Sequence, residues 1–380
     1  MNHLGNWRNG ELGNFITLKR GFDLPQQKRE DGQVPIFSSS GITGTHSTAM
    51  VNAPGVITGR YGTIGEVFYA AEDFWPLNTT LFVEDFHGND AKFIYYFLKT
   101  LEWSKFTSAS AVPGINRNTV HKETVSLPDI ETQRRIASTL SMLDEKIKTN
   151  TEINDNLQRQ LRTIFKAEFT DNPELENITQ IPLSELCHVV TKGTTPTTLG
   201  KPFVERGINF IKAESILDDH SIDKSKFAFI DEETNALLKR SIIHAGDVVF
   251  TIAGTLGRFA LIDENVLPAN TNQAVAIIRA DLEKVLPEYI YTCFIGEWHT
   301  DYYAKRVQQA VQANLSLTTI KSLPIPLLDE AKMSEYLSLI LPLIKAIKTN
   351  EAQNEKLAAL RDNLLPKLMS GEIDVSAVQL

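Results

Sequence analysis

Two glycine-rich runs, GRYGTIG (59–65) and AGTLG (253–257), are the stretches that most resemble phosphate-cradling loops. Such a loop offers successive backbone N–H groups to an anion, but its known forms have a fixed spacing. Neither GxxxxGK[ST] nor GxGxxG occurs in this chain. A base-flipping adenine methyltransferase would carry an Asp/Asn-Pro-Pro-aromatic motif to hold the extruded base. The nearest string, DNPEL (171–175), lacks the second proline and the aromatic. The eight histidines and two cysteines show no zinc-ligand spacing. The carboxylates form no paired set with a catalytic signature. Catalysis is therefore not legible, and the chemistry left is that of binding.

Binding to a nucleic acid needs cations for phosphates, and amides, hydroxyls and arginines for base edges. In the first half the candidates are Lys19, Arg20, Lys28, Arg29, Ser38, Ser39, Arg60, Tyr61 and Thr63. In the second half they are Lys192, Thr194, Thr195, Lys212, Thr255, Arg258, Gln308, Gln309 and Gln312. The run KRVQQAVQAN (305–314) is rich in groups suited to adenine edges. Against this stands a net charge of −9, from 38 basic and 47 acidic residues. Positive charge must then be local, or a partner must supply part of it, and DNA binding by the chain alone should be weak and salt-sensitive.

The elements that must position these residues are duplicated. Gly-Thr-aliphatic-Gly followed by Pro-x-Asn-Thr appears at 62–79 and again at 254–271. Short apolar runs ending at Gly21 and Gly193 precede the two copies, and VPIF (34–37) matches INFI (208–211). Downstream, FIYYFLKTLEW (93–103) matches YIYTCFIGEW (289–298), both with helical spacing. The second copy has about twenty extra residues around 218–240, expected as a surface loop. Asn78 and Asn270 recur in both copies, so they are expected to hold a turn rather than read a base.

A long helix should follow each unit. Residues 131–168 contain no Gly or Pro, and Ile136, Leu140, Leu143, Ile147, Leu157, Leu161 and Ile164 step by fours and threes, as in a coiled-coil seam. Ile340, Leu343, Ile347, Leu357, Leu364 and Leu368 repeat the pattern. IKTN stands at 147–150 and at 347–350, each followed by Asn154 or Asn354. Asparagine in a seam sets register at a cost in stability. Antiparallel helices would place Asn150 opposite Asn354 and Asn154 opposite Asn350.

The fold class expected is α+β: two similar α/β recognition domains separated by two long antiparallel coiled-coil helices, with pseudo-twofold symmetry. The domains are residues 1–130 and 171–326, with helices over 131–170 and over 327–380 including a C-terminal tail. A chain of 380 residues with 42% hydrophobic and 22% charged content suits two ordinary globular domains. Cys187 and Cys293 sit in apolar contexts and are expected reduced and buried. The longest apolar run, YLSLILPLI (336–344), is too short to span a bilayer. With no signal pattern at the N-terminus, a cytoplasmic protein without membrane contact is expected.

GDVVFTIAGTLGRFALI (246–262), LPDIETQRRIASTLSMLDEKI (127–147) and LRDNLLPKLMSGEI (360–373), in this order and with their internal repetition, resemble type I restriction–modification specificity subunits over essentially the whole chain. LPIPLLDEAKMSEYL (323–337) departs from the pattern, lacking the Gln-Arg-Arg character of the first helix entry. The resemblance implies a bipartite, asymmetric double-stranded DNA target. It also implies two methyltransferase (modification) subunits using S-adenosylmethionine, and restriction subunits cleaving DNA with ATP and Mg, while this chain holds no cofactor. The alternatives from other classes are a catalytic methyltransferase or nuclease with an unrecognised site, and a coiled-coil scaffold that reads no DNA.

Overall fold

Each Gly-Thr-aliphatic-Gly run turns a β-hairpin in the computed structural model, which describes residues 7–107, 114–172, 178–300, 302–303 and 314–375. Gly62 and Gly65 have φ of +76° and +89°, and Gly254 and Gly257 have +79° and +87°. A side chain with a Cβ rarely adopts this backbone, so both copies keep glycine for conformation. Gly21 and Gly193 recur for a second reason. A Cβ on Gly21 would lie 2.2 Å from the Leu77 carbonyl oxygen, and one on Gly193 would lie 1.9 Å from that of Thr271.

The chain divides into two compact units, residues 1–147 with 355–380, and residues 148–354. In the first, strands Thr17–Arg20, Thr80–Asp85, Gly55–Gly59 and Val67–Ala70 form an antiparallel sheet in that order. A second sheet joins Gly41–His46, Val34–Ser38 and Trp75–Pro76, the last pair parallel. Helix α1 (Ala91–Lys99) is capped by the Asp90 side chain, which accepts the Phe93 amide at 2.9 Å. Helix α2 (Arg117–Val120) is capped by Asn116 in the same way. Phe93, Ile94 and Phe97 of α1 pack on Leu18, Val56 and Leu81 of the sheet. Ile136 and Leu140, from the start of the long helix α3 (Ile130–Phe169), close this core together with Leu368 and Met369.

The second unit repeats the plan. Cys187–Lys192, Val275–Ala280, Val248–Thr251 and Phe259–Leu261 form the antiparallel sheet. The companion sheet runs Ala228–Ile230, Ile208–Ile211, Ala269–Thr271 and Ile242–Ile243. Its outer strand 228–230 comes from the twenty-residue insertion, which is therefore not a plain surface loop. FAFI (227–230) supplies an extended segment whose Ile230 is fully buried, and helix α4 (Glu232–Leu237) leads from it to buried Leu238 beside Phe210. Helix α5 (Pro287–Ile295) lies on the main sheet, as α1 does, and α6 (Leu317–Lys321), capped by Ser316, corresponds to α2. Asn270 is buried in a strand, donating to Asn235 Oδ1 at 2.8 Å and so tying the insertion down, while Asn78 bonds Asp23.

The second long helix, α7, spans Glu330–Met369. Forty residues at 1.5 Å rise make each long helix about 60 Å long. Within the second unit α3 and α7 run antiparallel. Asn150 Nδ2 donates to Asn354 Oδ1 and Gln353 Oε1, both at 2.8 Å, and Asn350 Nδ2 donates to Asn154 Oδ1 at 2.8 Å. Asn154 Nδ2 also reaches the Ile347 carbonyl at 3.3 Å. Within the first unit the same two helices meet through Asp144, which accepts Arg361 Nη1 at 2.7 Å and the Tyr96 hydroxyl of α1 at 2.5 Å. Both cysteines are free thiols, and burial pushes that of Cys187 up to about 12.

Candidate nucleic-acid interface

In the first unit the chain brings three separated stretches to one cleft. Residues 19–20 end a strand, residues 60–61 open the hairpin loop, and residues 116–118 start α2. Together they line a cavity of about 590 Å³. Arg60 lies over the Tyr61 ring, 4.6 Å from its centroid, and its Nε donates to the Ile115 carbonyl at 3.3 Å. Tyr61 in turn packs against Gly114, where any Cβ would collide with the ring at 2.2 Å. Arg117 reaches the Leu18 carbonyl through Nη1 at 3.5 Å. His121, one turn on, accepts the Leu18 amide at 2.9 Å through Nε2. Burial first, and the Arg117 charge second, hold its pKa below the usual value, so it stays a neutral acceptor beside the strand.

Lys19 and Arg20 are in the cleft but meet carboxylates, Lys19 with Glu84 at 2.5 Å and Arg20 with Asp23 at 3.5 Å. Both pairs are exposed, and exposed pairs are worth little, so an arriving phosphate can compete for these cations. The remaining first-unit candidates lie outside the cleft lining. Lys28 ends a short helical turn (Gln26–Lys28) and Arg29 follows it, donating to the Thr43 carbonyl at 3.2 Å. Ser38 bonds Ser40 and the Gly41 carbonyl in a tight turn. Ser39 touches the hairpin, its Oγ 3.3 Å from where a Gly62 Cβ would stand, and Thr63 is exposed at the loop tip.

The second unit gathers less. Lys192 is exposed, and Thr195 bonds Gln273. Thr194 accepts Arg240 Nη2 at 3.3 Å, and Lys212 pairs with Glu214 at 2.6 Å. Thr255 sits exposed at the loop tip, its carbonyl accepting the Thr251 hydroxyl. Arg258 is committed elsewhere: Nε and Nη2 hold Asp218 at 2.6 and 2.7 Å, and Nη1 donates to the Ile216 carbonyl at 3.2 Å. It anchors the start of the insertion. Gln308, Gln309 and Gln312 lie outside the described residues.

Sequence reasoning missed Arg117, Asn116 and Asn118. Only folding brings residues 116–118 up to residues 60–61. Among the described residues there is no group of three or more His, Cys, Asp or Glu able to hold a metal. Among them, too, no helix is long and apolar enough to cross a membrane.

Comparisons with known proteins agree with this geometry. A family model described as the type I restriction modification DNA specificity domain matches residues 5–159 and again 176–359, one copy per unit. The type I restriction enzyme MjaIX specificity subunit of Methanocaldococcus jannaschii is 24% identical over 313 residues, 76% of this chain and 70% of that protein. The HindI specificity subunit of Haemophilus influenzae is 24% identical over 358 residues, 72% of this chain and 75% of that protein. A crystal structure of the type I restriction–modification S subunit from M. genitalium shares the fold, with a TM-score of 0.61 and 16% identity over 97% of both chains. Two matched segments, each carrying its own hairpin and its own α/β core, leave one assignment: this chain belongs to the type I restriction–modification DNA specificity family.

Proposed function

We propose that this chain is the sequence-reading, non-catalytic subunit of a type I restriction–modification complex. Each unit reads one half of a bipartite, asymmetric DNA target. The long helices set the distance between the half-sites and dock two methyltransferase subunits, which bring S-adenosylmethionine, while restriction subunits bring ATP and Mg. The observation that carries this reading is one fold used twice in one chain, with the backbone-determining glycines kept and the polar side chains around them changed. Shared scaffold with divergent lining is what two different half-sites require. The purified chain is expected to transfer no methyl group from S-adenosylmethionine to DNA, and transfer is expected to appear when the methyltransferase is added. Radiolabel incorporation into duplex DNA by the chain alone would end this reading.

The seam asparagines act, on this reading, as a register pin. Asn150 is almost fully buried, and its amide serves two acceptors on α7. Asn150→Leu leaves Gln353 and Asn354 without that donor and is expected to cost about 1–3 kcal/mol. Changing Asn150, Asn154, Asn350 and Asn354 together to Leu removes donors and acceptors alike. Stability should then return or rise while the helices slip in register. Thermal unfolding reads the first effect, and cross-linking between engineered cysteine pairs on α3 and α7 reads the second. A quadruple variant less stable than the single one, with register kept, would contradict the pin.

A further inference from the structure

We propose that the cleft between Arg60 and Arg117 seats a backbone phosphate of the DNA, and that among the described residues the second unit has no such seat. The proposal rests on the DNA-reading role given above and assigns one part of it. Lys19, Arg20, Arg60 and Arg117 line one cavity. For Arg60 and Arg117 the partners found among the described residues are backbone carbonyls and the Tyr61 ring, and no carboxylate of the described residues lies within ion-pair distance of either. The two guanidinium groups are thus positioned by neutral groups and keep their full charge facing the cleft. Arg60, stacked on Tyr61 with Nε already used, has only its terminal Nη edge to offer. That edge matches two phosphate oxygens as well as it matches a guanine edge. The convergence of cations decides between the two. A base edge is neutral and satisfied by one fork, whereas several cations around one cavity repel one another unless an anion arrives between them.

The repeat supplies an internal comparison. Ile115 donates its amide to the Arg60 carbonyl at 3.0 Å, and in the second unit Leu315 donates to the Ile252 carbonyl at 2.9 Å. Ile252 therefore stands where Arg60 stands, and it is buried in the second core. Leu317, the first residue of α6, stands where Arg117 begins α2, and it packs on the same core. Thr191 and Lys192 replace Lys19 and Arg20 ahead of the equivalent glycine. One cation remains where the first unit has four. The fold does not require the charges, because the same scaffold closes over with aliphatic side chains in their absence. The sequence-independent, salt-dependent share of DNA affinity is accordingly concentrated in the first unit.

The test uses the full-length chain and two short duplexes, one with the target found by methylation mapping and one scrambled, in a salt series read by fluorescence anisotropy. Arg60→Gln and Arg117→Gln together should reduce the slope of log K against log salt by about 0.9, the share of one phosphate, with each single variant losing part of it, equally on both duplexes. Arg60→Lys and Arg117→Lys should keep the slope, which separates lost charge from lost folding. An unchanged slope in the double variant, with binding intact, overturns the proposal. So does a loss confined to the target duplex, which is the mark of a base contact. Failure of the wild-type chain to bind either duplex at low salt would instead reject the DNA-reading role itself. In that case stabilisation of the wild-type chain by inorganic pyrophosphate, absent in the double variant, would identify a free-phosphate site and overturn the DNA source.

Discussion

Exchanging residues 1–130 for the corresponding unit of a relative is expected to change one half of the methylated sequence and leave the other half as it was. The reason is the division of labour between backbone and side chain. The hairpin glycines, the close approach at Gly21 and the helix caps make the unit's shape, and a relative with the same family fold keeps that shape. The residues facing the cleft differ between the two units of this very chain, so they are free to differ between relatives. Base-resolution methylation mapping in cells expressing the hybrid with its methyltransferase gives the answer directly. The junction needs care, because Ile136, Ala137 and Leu140 of α3 complete the first unit's core. A hybrid that keeps these contacts should melt close to the parent, and only such a hybrid is informative. The reciprocal exchange of residues 171–326 should alter the opposite half. A target left unchanged by both exchanges, or changed throughout by either, would refute reading by separate units.

What was legible in the sequence was whatever depends on backbone geometry or on periodicity. Gly-Thr-aliphatic-Gly shows in sequence because positive φ at two positions leaves little choice of residue. The long helices show because seam spacing runs from 136 to 164 and again from 340 to 368, and the facing of Asn150 with Asn354 needs only that spacing and an antiparallel sense. Residue-level contacts were less legible. Arg258 reads as a free loop cation until folding brings Asp218, forty positions upstream, into a two-pronged ion pair with it. Arg117 is not among the candidates read from the sequence, because only the packing of α2 beside the strand ending at Arg20 brings it to the cleft. The strand at 228–230 was hidden inside an acidic insertion because its apolar run is short, and its burial depends on Phe210, nearly twenty residues earlier. These are facts of tertiary juxtaposition, for which a linear pattern has no term.

The second unit should lose stability in mild acid through two histidines that the duplication does not explain. His220 stacks on Phe259 with ring centroids 4.0 Å apart, and His299 sits edge-on among Phe250, Phe294 and Tyr303. Both are nearly fully buried. Burial is the main cause that lowers each pKa to about 4, with the Arg162 charge adding to it for His220 and the neighbouring His220 adding to it for His299. In the unfolded chain both return to about 6.5. Between these values the unfolded chain binds protons that the folded chain refuses. Stability is therefore fully present above pH 6.5, falls as pH drops towards 4, and levels off below that. The loss is on the order of 3 kcal/mol per histidine. Glu351 pulls the other way, since burial raises its pKa against the Lys348 ion pair at 2.9 Å, and it favours the folded state as pH falls. Comparing variants cancels that contribution. His299→Phe, in an aromatic setting that accepts it, should flatten the acid dependence by one histidine's share and change little at pH 7.5. His220→Asn is the matching change at a position with φ of +65°, where asparagine is among the few tolerated residues. Denaturant unfolding from pH 4.5 to 7.5 measures both. A wild-type slope unaltered in His299→Phe, or a His220 or His299 resonance in the folded chain titrating near 6.5, would show that these rings are not held neutral by their burial.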